Sequence, residues 1–495
     1  MRSKGGLYKS RSMAQNVGTV LGLLIFTLLL VIETPIDRGG AHAAHAAAVA
    51  ALMAVWWMSE ALPIWLTACV PLLLFPLLGV FDGGLVANAT AALLPYLDPY
   101  IFLFAGGMCI AAAMQQWDLH RRIALGIMRA IGADPRRLLF GFLASTAFIS
   151  LWISNTATAT MMVPIGLAVI SQLERQLGVR RLESYGLAVM LAIAYAANVG
   201  GVGTKIGTAP NGQFAGFMAR IGVDISFLEF MAVGVPFVLV FLPIVWILLW
   251  RIARRDPVRA DVGRQVIETE LAALGPRKRE ETIVLTTFIV AALLWIMGTP
   301  FADLLRPHVS LFKLGTAHIE ATVAMLAAIT LLLLRGSGRA ILELRSLRLV
   351  PWSTLVLLGG SFAMAAGIQG SGLGGQMAEG MSGLRDLPPF VALLLASVTT
   401  VGISAVASNT ATITVMLNVL HGAVAPSAVN TTLFTSTIAA SCDFALPAGT
   451  PPNAIVFGSG YVTIPAMVRA GIVLDVLAAI VAAALCWALV PMVVG

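Results

Sequence analysis

The sequence predicts an all-α polytopic membrane protein, with about 11 transmembrane helices and two re-entrant hairpins set as inverted repeats. Three observations carry that prediction: an extreme composition, apolar runs spaced to suit a bilayer, and an internal duplication of short polar motifs. Hydrophobic residues make up 59% of the 495 and charged residues 11%, well under the roughly 25% usual in soluble domains. The chain as a whole is therefore expected in lipid.

Taken in order, Arg2, Lys4, Lys9 and Arg11 precede the apolar stretch Val17 to Ile32. No small-residue cleavage site follows it, so it reads as a first transmembrane helix and not as a removed signal. Crossing a core of about 30 Å takes about 20 residues. The first half offers Ala44 to Trp57, Ile64 to Val80, Tyr100 to Met114, Tyr185 to Phe217 with a polar interruption, and Phe227 to Trp250. The second half offers Ile283 to Met297, Ile319 to Leu334, Trp352 to Ile368, Thr431 to Ile464 with another interruption, and Ala470 to Val494.

Two further pairs of runs are short for crossings at about 1.5 Å per residue. Leu138 to Ile153 and Ala157 to Ile170 read as a re-entrant hairpin entering from the cytoplasm, and Pro389 to Ala407 with Ala411 to Leu420 as its counterpart from the opposite face. Polar loops at that depth are tolerated where protein or a watery cavity surrounds them. Basic residues set the orientation. Eight lie between Arg251 and Arg279 and four between Arg335 and Arg348, with Arg121, Arg122, Arg136, Arg137, Arg180 and Arg181 clustered similarly. All fall on the cytoplasmic side if the N-terminus is cytoplasmic, which leaves the C-terminus on the other side. The connections Pro35 to Ala43 and Pro300 to Gly315 are poor in net positive charge and alternate to that other side.

The expected organisation is N-terminal scaffold helices over residues 1–95 and a first repeat over 96–250, with hairpin 138–170 and broken helix 185–217. A cytoplasmic basic linker covers 251–281. A second repeat covers 282–495, with its own scaffold helices, hairpin 389–420 and broken helix 431–464.

Self-comparison supplies the strongest signal. Ser150 to Thr160 aligns without gaps to Ser404 to Thr414, identical at seven of eleven positions, and each stretch contains Ser-Asn-Thr. Downstream, Gly207-Thr-Ala-Pro-Asn211 matches Gly449-Thr-Pro-Pro-Asn453. Proline removes a helix amide and glycine lets the backbone turn, so these motifs should free main-chain groups. Helices starting at Thr156 and Asn211, or at Thr410 and Asn453, would aim amides at an anion. Oxygen ligands for a monovalent cation are offered by Ser150 and Ser154, four apart on one face of a hairpin arm, with the Asn155 amide oxygen. Ser404, Asn409 and the Gly449 carbonyl would form the second such site. An arrangement of this kind implies a secondary transporter with its substrate at the midplane.

Other classes find little support. The net charge of +7 sits in short loops and needs no nucleic acid. Cys69, Cys109, Cys442 and Cys486 show no paired spacing, and the six histidines no ligand spacing, so neither a disulfide framework, a resident metal nor another cofactor is expected. No histidine or second acid accompanies Ser154 or Ser408, so no enzyme is expected. His120 reads as a loop residue, and Asp475 as an acid near the start of the last helix.

On Trp56-Trp-Met-Ser-Glu-Ala-Leu-Pro-Ile64, Trp117-Asp-Leu-His-Arg-Arg-Ile-Ala124, both Ser-Asn-Thr tips, both Gly-Thr-x-Pro-Asn breaks and Ile455-Val-Phe-Gly-Ser-Gly460, the sequence resembles the divalent anion sodium symporters, solute carrier family 13. The likeness covers nearly the whole chain. It implies a homodimer in the cell inner (plasma) membrane that moves its substrate domain as an elevator. It also implies sodium-coupled import of small dianions, C4-dicarboxylates such as succinate. Carried onto this chain, Ser154, Asn155, Thr156, Ser408, Asn409 and Thr410 would bind the anion, supported by Thr208 and Thr450. Sodium would sit at Ser150, Ser154, Asn155 and Gly207, and at Ser404, Ala407, Asn409 and Gly449.

Lys205 and Asp443 depart from the family pattern, which has uncharged residues there. Intramembrane charges are costly and need a partner, so the two are expected to pair with each other or to line the cavity. An ammonium beside the first cation site could also replace sodium. The alternative is therefore a sodium-independent dicarboxylate, tricarboxylate or sulfate exchanger, or a proton-coupled carrier.

Overall fold

Alanine- and leucine-rich runs become helices here, even where proline lies inside them, as at Pro164, Pro236 and Pro243, and proline or glycine stands at many of their ends. The computed structural model describes residues 13–31, 41–132, 134–179, 181–256, 262–305, 315–380 and 385–494. Arg2, Lys4, Lys9, Arg11 and Arg180, and parts of the connections at 35–43 and 300–315, lie outside the described residues. Among the described residues the only β pairing is an isolated bridge between Arg335 and Ala340. Among the described residues, eight helical stretches are long and apolar enough to cross a membrane.

The chain divides into two compact units. The first comprises residues 1–97 and 356–381. In it the helix Met13–Val31 packs on Ala41–Ser59. The run expected as one crossing from Ile64 to Val80 is split into Ile64–Thr67 and Val70–Leu78, with Pro71 in the first turn of the second piece. Proline has no amide to continue the preceding helix, and its fixed φ suits a new start. Gly360 lets its helix close on this break, since a Cβ there would lie 2.3 Å from the Ala68 carbonyl oxygen.

The second unit comprises residues 98–355 and 382–495 and holds both hairpins. The first has arms Pro135–Ser150 and Asn155–Leu177, the second Pro389–Ser404 and Asn409–Ala423. Three of these arms are as short as expected. The Asn155 arm is not: its 23 residues span roughly 34 Å at 1.5 Å each, so length alone does not bar it from crossing. The broken helices are Glu183–Gly201 with Ala209–Arg220, and Val429–Ala440 with Pro451–Phe457. The last helix begins at Ile464, earlier than expected, capped by the Thr463 side chain.

Every residue from Ala188 to Gly201 is buried, as an all-round apolar helix must be. Its small side chains allow close approach: a Cβ on Gly200 would lie 2.3 Å from the Ala147 carbonyl of the first hairpin. Aromatic contacts join residues from the two sequence repeats, with Phe214 on Phe434 at 4.7 Å and Tyr195 on Phe444 at 5.1 Å between ring centres.

Connections expected on one membrane side contact one another. The Ser184 and Tyr185 amides donate to Asp256, the Tyr461 hydroxyl to Glu174, and Arg122 pairs with Glu281 at 2.6 Å. Connections expected on the other side do likewise, through Arg220 with Asp98 and the Thr316 amide with Asp224. The basic linker is not a plain loop, since it contains the helix Val262–Ala273, and Arg121 on Leu119–Ile131 pairs with its Glu270. His120 is not a loop residue either. It lies in the first turn of Leu119–Ile131 with Nδ1 3.0 Å from the Met114 carbonyl, and burial pushes its pKa below the ordinary value.

Candidate functional site

The first arm of each hairpin ends at the serine that opens the duplicated stretch, Ser150 or Ser404. The first helix stops at Ser150 and the next starts at Asn155, so Ser154 is an N-cap whose Oγ accepts from the Ala157 amide. Ser150 and Ser154 therefore do not share a helical face, because a turn over residues 151–153 separates them. Ser150 is buried while Ser154 and Thr156 are exposed. In the second hairpin Ser404 is buried, Ala407 lies buried in the turn, and Ser408, Asn409 and Thr410 are half-buried. The helix starts fall earlier than expected, at Asn155 and Asn409 for the tips and at Ala209 and Pro451 for the breaks. Proline in the first turn moves the break starts back.

The two tips repeat one polar arrangement. Ser150 Oγ lies 2.9 Å from Asn155 Oδ1 and 2.7 Å from the Ala197 carbonyl oxygen. Ser404 Oγ lies 3.1 Å from Asn409 Oδ1 and 2.6 Å from the Ala440 carbonyl oxygen. A hydroxyl has one hydrogen, so it can serve only one of its two acceptors. Each corner thus gathers three oxygens around a single proton, an electron-rich environment suited to a hard monovalent cation. Each Asn Nδ2 remains available to donate.

The breaks are held by a second repeated device. Asn211 Nδ2 donates to the carbonyls of Gly201 and Thr204 at 2.9 and 2.6 Å. Asn453 Nδ2 donates to those of Asp443 and Leu446 at 3.2 and 2.9 Å. In both cases the acceptors stand ten and seven residues earlier in the chain. The asparagine that closes each Gly-Thr-x-Pro-Asn motif is therefore a staple across the break. Gly207 is needed for closeness, since a Cβ there would lie 2.4 Å from the Gly201 carbonyl oxygen.

The repeats interlock. Ala209–Arg220 of the first packs on Asn409–Ala423 of the second, and Pro451–Phe457 of the second on Asn155–Leu177 of the first. Asn198 Nδ2 donates to Thr450 Oγ1 at 3.0 Å, and Gln213 Nε2 to Thr414 Oγ1 at 2.6 Å. Thr450 is buried, and its oxygen also accepts from the Asn453 amide; its own proton is left to donate. Thr208 caps Ala209–Arg220 by position only, without a side-chain cap bond, and is half-buried. The Pro451 helix has seven residues and contributes little dipole.

Lys205 and Asp443 do not pair. Lys205 Nζ lies 3.0 and 2.8 Å from the two carboxylate oxygens of Glu320 and 5.2 Å from the Tyr100 ring centre. Both partners are essentially inaccessible. Glu320 also accepts from the Phe227 amide. An ammonium so engaged is not free to stand in for sodium. Asp443 lies in the second repeat, 1% exposed, with neither carboxylate oxygen hydrogen-bonded. Reading the sequence missed Glu320, Asn198 and the carbonyls of Ala197 and Ala440. Glu320 carried a visible signal as an acid within an apolar run; backbone carbonyls carry none.

Residues 14–494 match the family described as the sodium:sulfate symporter transmembrane region. The sodium-dependent dicarboxylate transporter SdcS of Staphylococcus saprophyticus is 36% identical over 98% of this chain and 93% of its own length. Its namesake from Staphylococcus aureus USA300 is 34% identical over 100% and 94%. Among solved structures, the YdaH transporter of Alcanivorax borkumensis superposes with a TM-score of 0.56 at 15% identity, covering 83% of this chain and 89% of that one. MtrF of Neisseria gonorrhoeae gives 0.54 at 11%, covering 86% and 93%; both share the fold. A match along almost the full length, on helices of membrane-spanning length, leaves one conclusion: the chain belongs to the divalent anion:sodium symporter family and is a multi-pass membrane transporter, not an enzyme.

Proposed function

We propose that the protein imports small divalent anions, C4-dicarboxylates such as succinate, in symport with sodium. The observation that carries this is the duplicated oxygen corner, with Ser150, Asn155 and Ala197 in one repeat and Ser404, Asn409 and Ala440 in the other. At each tip the asparagine would turn Oδ1 to a sodium ion and Nδ2 to a carboxylate. Binding the cation then orients the donor for the anion, which couples the two ligands. Ser154, Thr156, Ser408 and Thr410 would add hydroxyls, and Thr208 and Thr450 donors from the breaks. Ser150, Ser154 and Gly207 would complete the first sodium shell, and Ser404, Ala407 and Gly449 the second. Two tips suit a substrate with two carboxylates, one at each.

In the cell the protein would be a homodimer in the plasma membrane with a cytoplasmic N-terminus, its hairpin unit travelling as an elevator. The relatives' names and the engaged state of Lys205 favour sodium over sodium-independent exchange. Uptake of labelled succinate into proteoliposomes tests the coupling. A sodium gradient should drive accumulation, and Asn155→Ala or Asn409→Ala should each lower uptake by about tenfold or more, as expected when charge-assisted bonds are lost. Equal uptake with choline in place of sodium would refute the symport. A thermal-shift comparison of succinate, malate, fumarate, citrate and sulfate, each with and without sodium, identifies the anion.

A further inference from the structure

Asp443 carries a charge that binding by the neutral oxygens above does not use. Its carboxylate is buried and neither oxygen has a hydrogen-bond partner. An ionised carboxylate out of water is strongly unfavourable unless a cation or donors face it. The neighbouring acid, Asp475, is different, because one of its oxygens accepts from the Phe444 amide at 2.7 Å. Lys205, a buried ammonium of the same unit, is committed to Glu320. Asp443 is therefore left to take either a proton or a cation from outside the chain.

Its position within the repeat says which one. Asp443 stands where the first repeat has Gly201, since the carbonyl of each accepts from the staple asparagine ten residues on. Gly201 lies directly against the first tip, where a Cβ would come within 2.4 Å of Asn155 Oδ1. In the second repeat the same place holds a carboxylate. A Cβ on Gly449 would meet Asp443 Oδ2 at 2.5 Å and the Ala405 carbonyl oxygen at 3.5 Å. The carboxylate and a carbonyl of the hairpin turn thus flank the same side of Gly449. Ala405 directly follows Ser404, and Asp443 stands three residues after Ala440, two members of the corner where Ser404 Oγ, Asn409 Oδ1 and the Ala440 carbonyl share one hydrogen.

The geometry points to Asp443 as an anionic ligand of the sodium ion at the second site, an inference that rests on the sodium coupling proposed above. The two cation sites then differ in kind. The first has only neutral oxygens, because glycine stands at 201, while the second carries a full negative charge and binds its ion more tightly. Sodium loads the second site first, and its charge is cancelled there before the dianion arrives.

The test uses the full-length purified protein in detergent without any dicarboxylate, so that substrate identity does not enter. Binding of radioactive sodium is measured together with the rise in melting temperature that sodium, against choline, produces. The wild type should show a tight and a weak class of sites. Asp443→Asn and Asp443→Gly, the latter copying the first repeat, should weaken the tight class by about tenfold or more, since ligand charge sets cation affinity. Their melting temperature in choline should stay level or rise, because an unpaired buried charge is gone. A merely structural Asp443 would lower the melting temperature in choline and leave the sodium isotherm intact, which overturns the assignment. If neither variant folds, carbodiimide labelling of wild-type Asp443, read by mass spectrometry, decides: sodium but not choline should protect it, and equal labelling overturns the role. Absence of all sodium binding by the wild type would overturn the coupling itself, whereas binding indifferent to Asp443→Asn overturns only this ligand.

Discussion

At the scale of single residues, two buried charges that look alike in the sequence have opposite circumstances. Lys205 is neutralised by Glu320, with the Tyr100 ring and the Phe227 amide closing the surroundings. Removing one partner of such a pair strands the other, at a cost of about 3–5 kcal/mol, whereas replacing both with apolar residues is often tolerated. Lys205→Ala and Glu320→Ala should each therefore depress the melting temperature sharply, and Lys205→Met with Glu320→Leu should restore most of it. Sodium dependence of uptake in the double variant should match the wild type. A double variant that transports equally in choline and sodium would instead give the pair a coupling role. Nothing local reveals this partnership, because the two residues are 115 positions apart.

At the scale of elements, the broken helices depend on asparagine as much as on glycine and proline. Asn211 and Asn453 each satisfy two carbonyls that the interruption leaves without helix amides. Losing such a donor in a buried place costs about 1–3 kcal/mol. Asn211→Asp should be as damaging as Asn211→Ala, since a carboxylate keeps the shape and presents only acceptors to the carbonyls. The two single losses, Asn211→Ala and Asn453→Ala, should add in the double variant, because the staples share no partner. Thermal unfolding of the four proteins checks this; a mild Asn211→Asp would show that shape and not donation matters. Both motifs were legible in the sequence as duplicated strings. Their role as staples was not, because it depends on carbonyls brought back by the chain's own turn. At the breaks the helices start two residues before the expected asparagines, because proline opens the next helix as well as ending the previous one.

At the scale of the whole molecule, the proposed orientation places the Lys- and Arg-rich connections and the N-terminus in the cytoplasm and the C-terminus outside. Reporter fusions should find the loop carrying Arg335 and Arg339 cytoplasmic and the C-terminus on the opposite face, and a cytoplasmic C-terminus would refute the crossing count. By itself the sequence determined the membrane class, the duplication, the identity of the tip and break motifs, and the family, because these depend on composition and local patterns that repeat along the chain. Tertiary structure alone decided which charges are paired, which backbone carbonyls complete the oxygen corners, and how each repeat's break packs on the other's hairpin. Those are contacts between residues far apart in the chain, and hydrophobic burial, which drives helices together without direction, leaves no mark in the sequence of which polar atoms will meet.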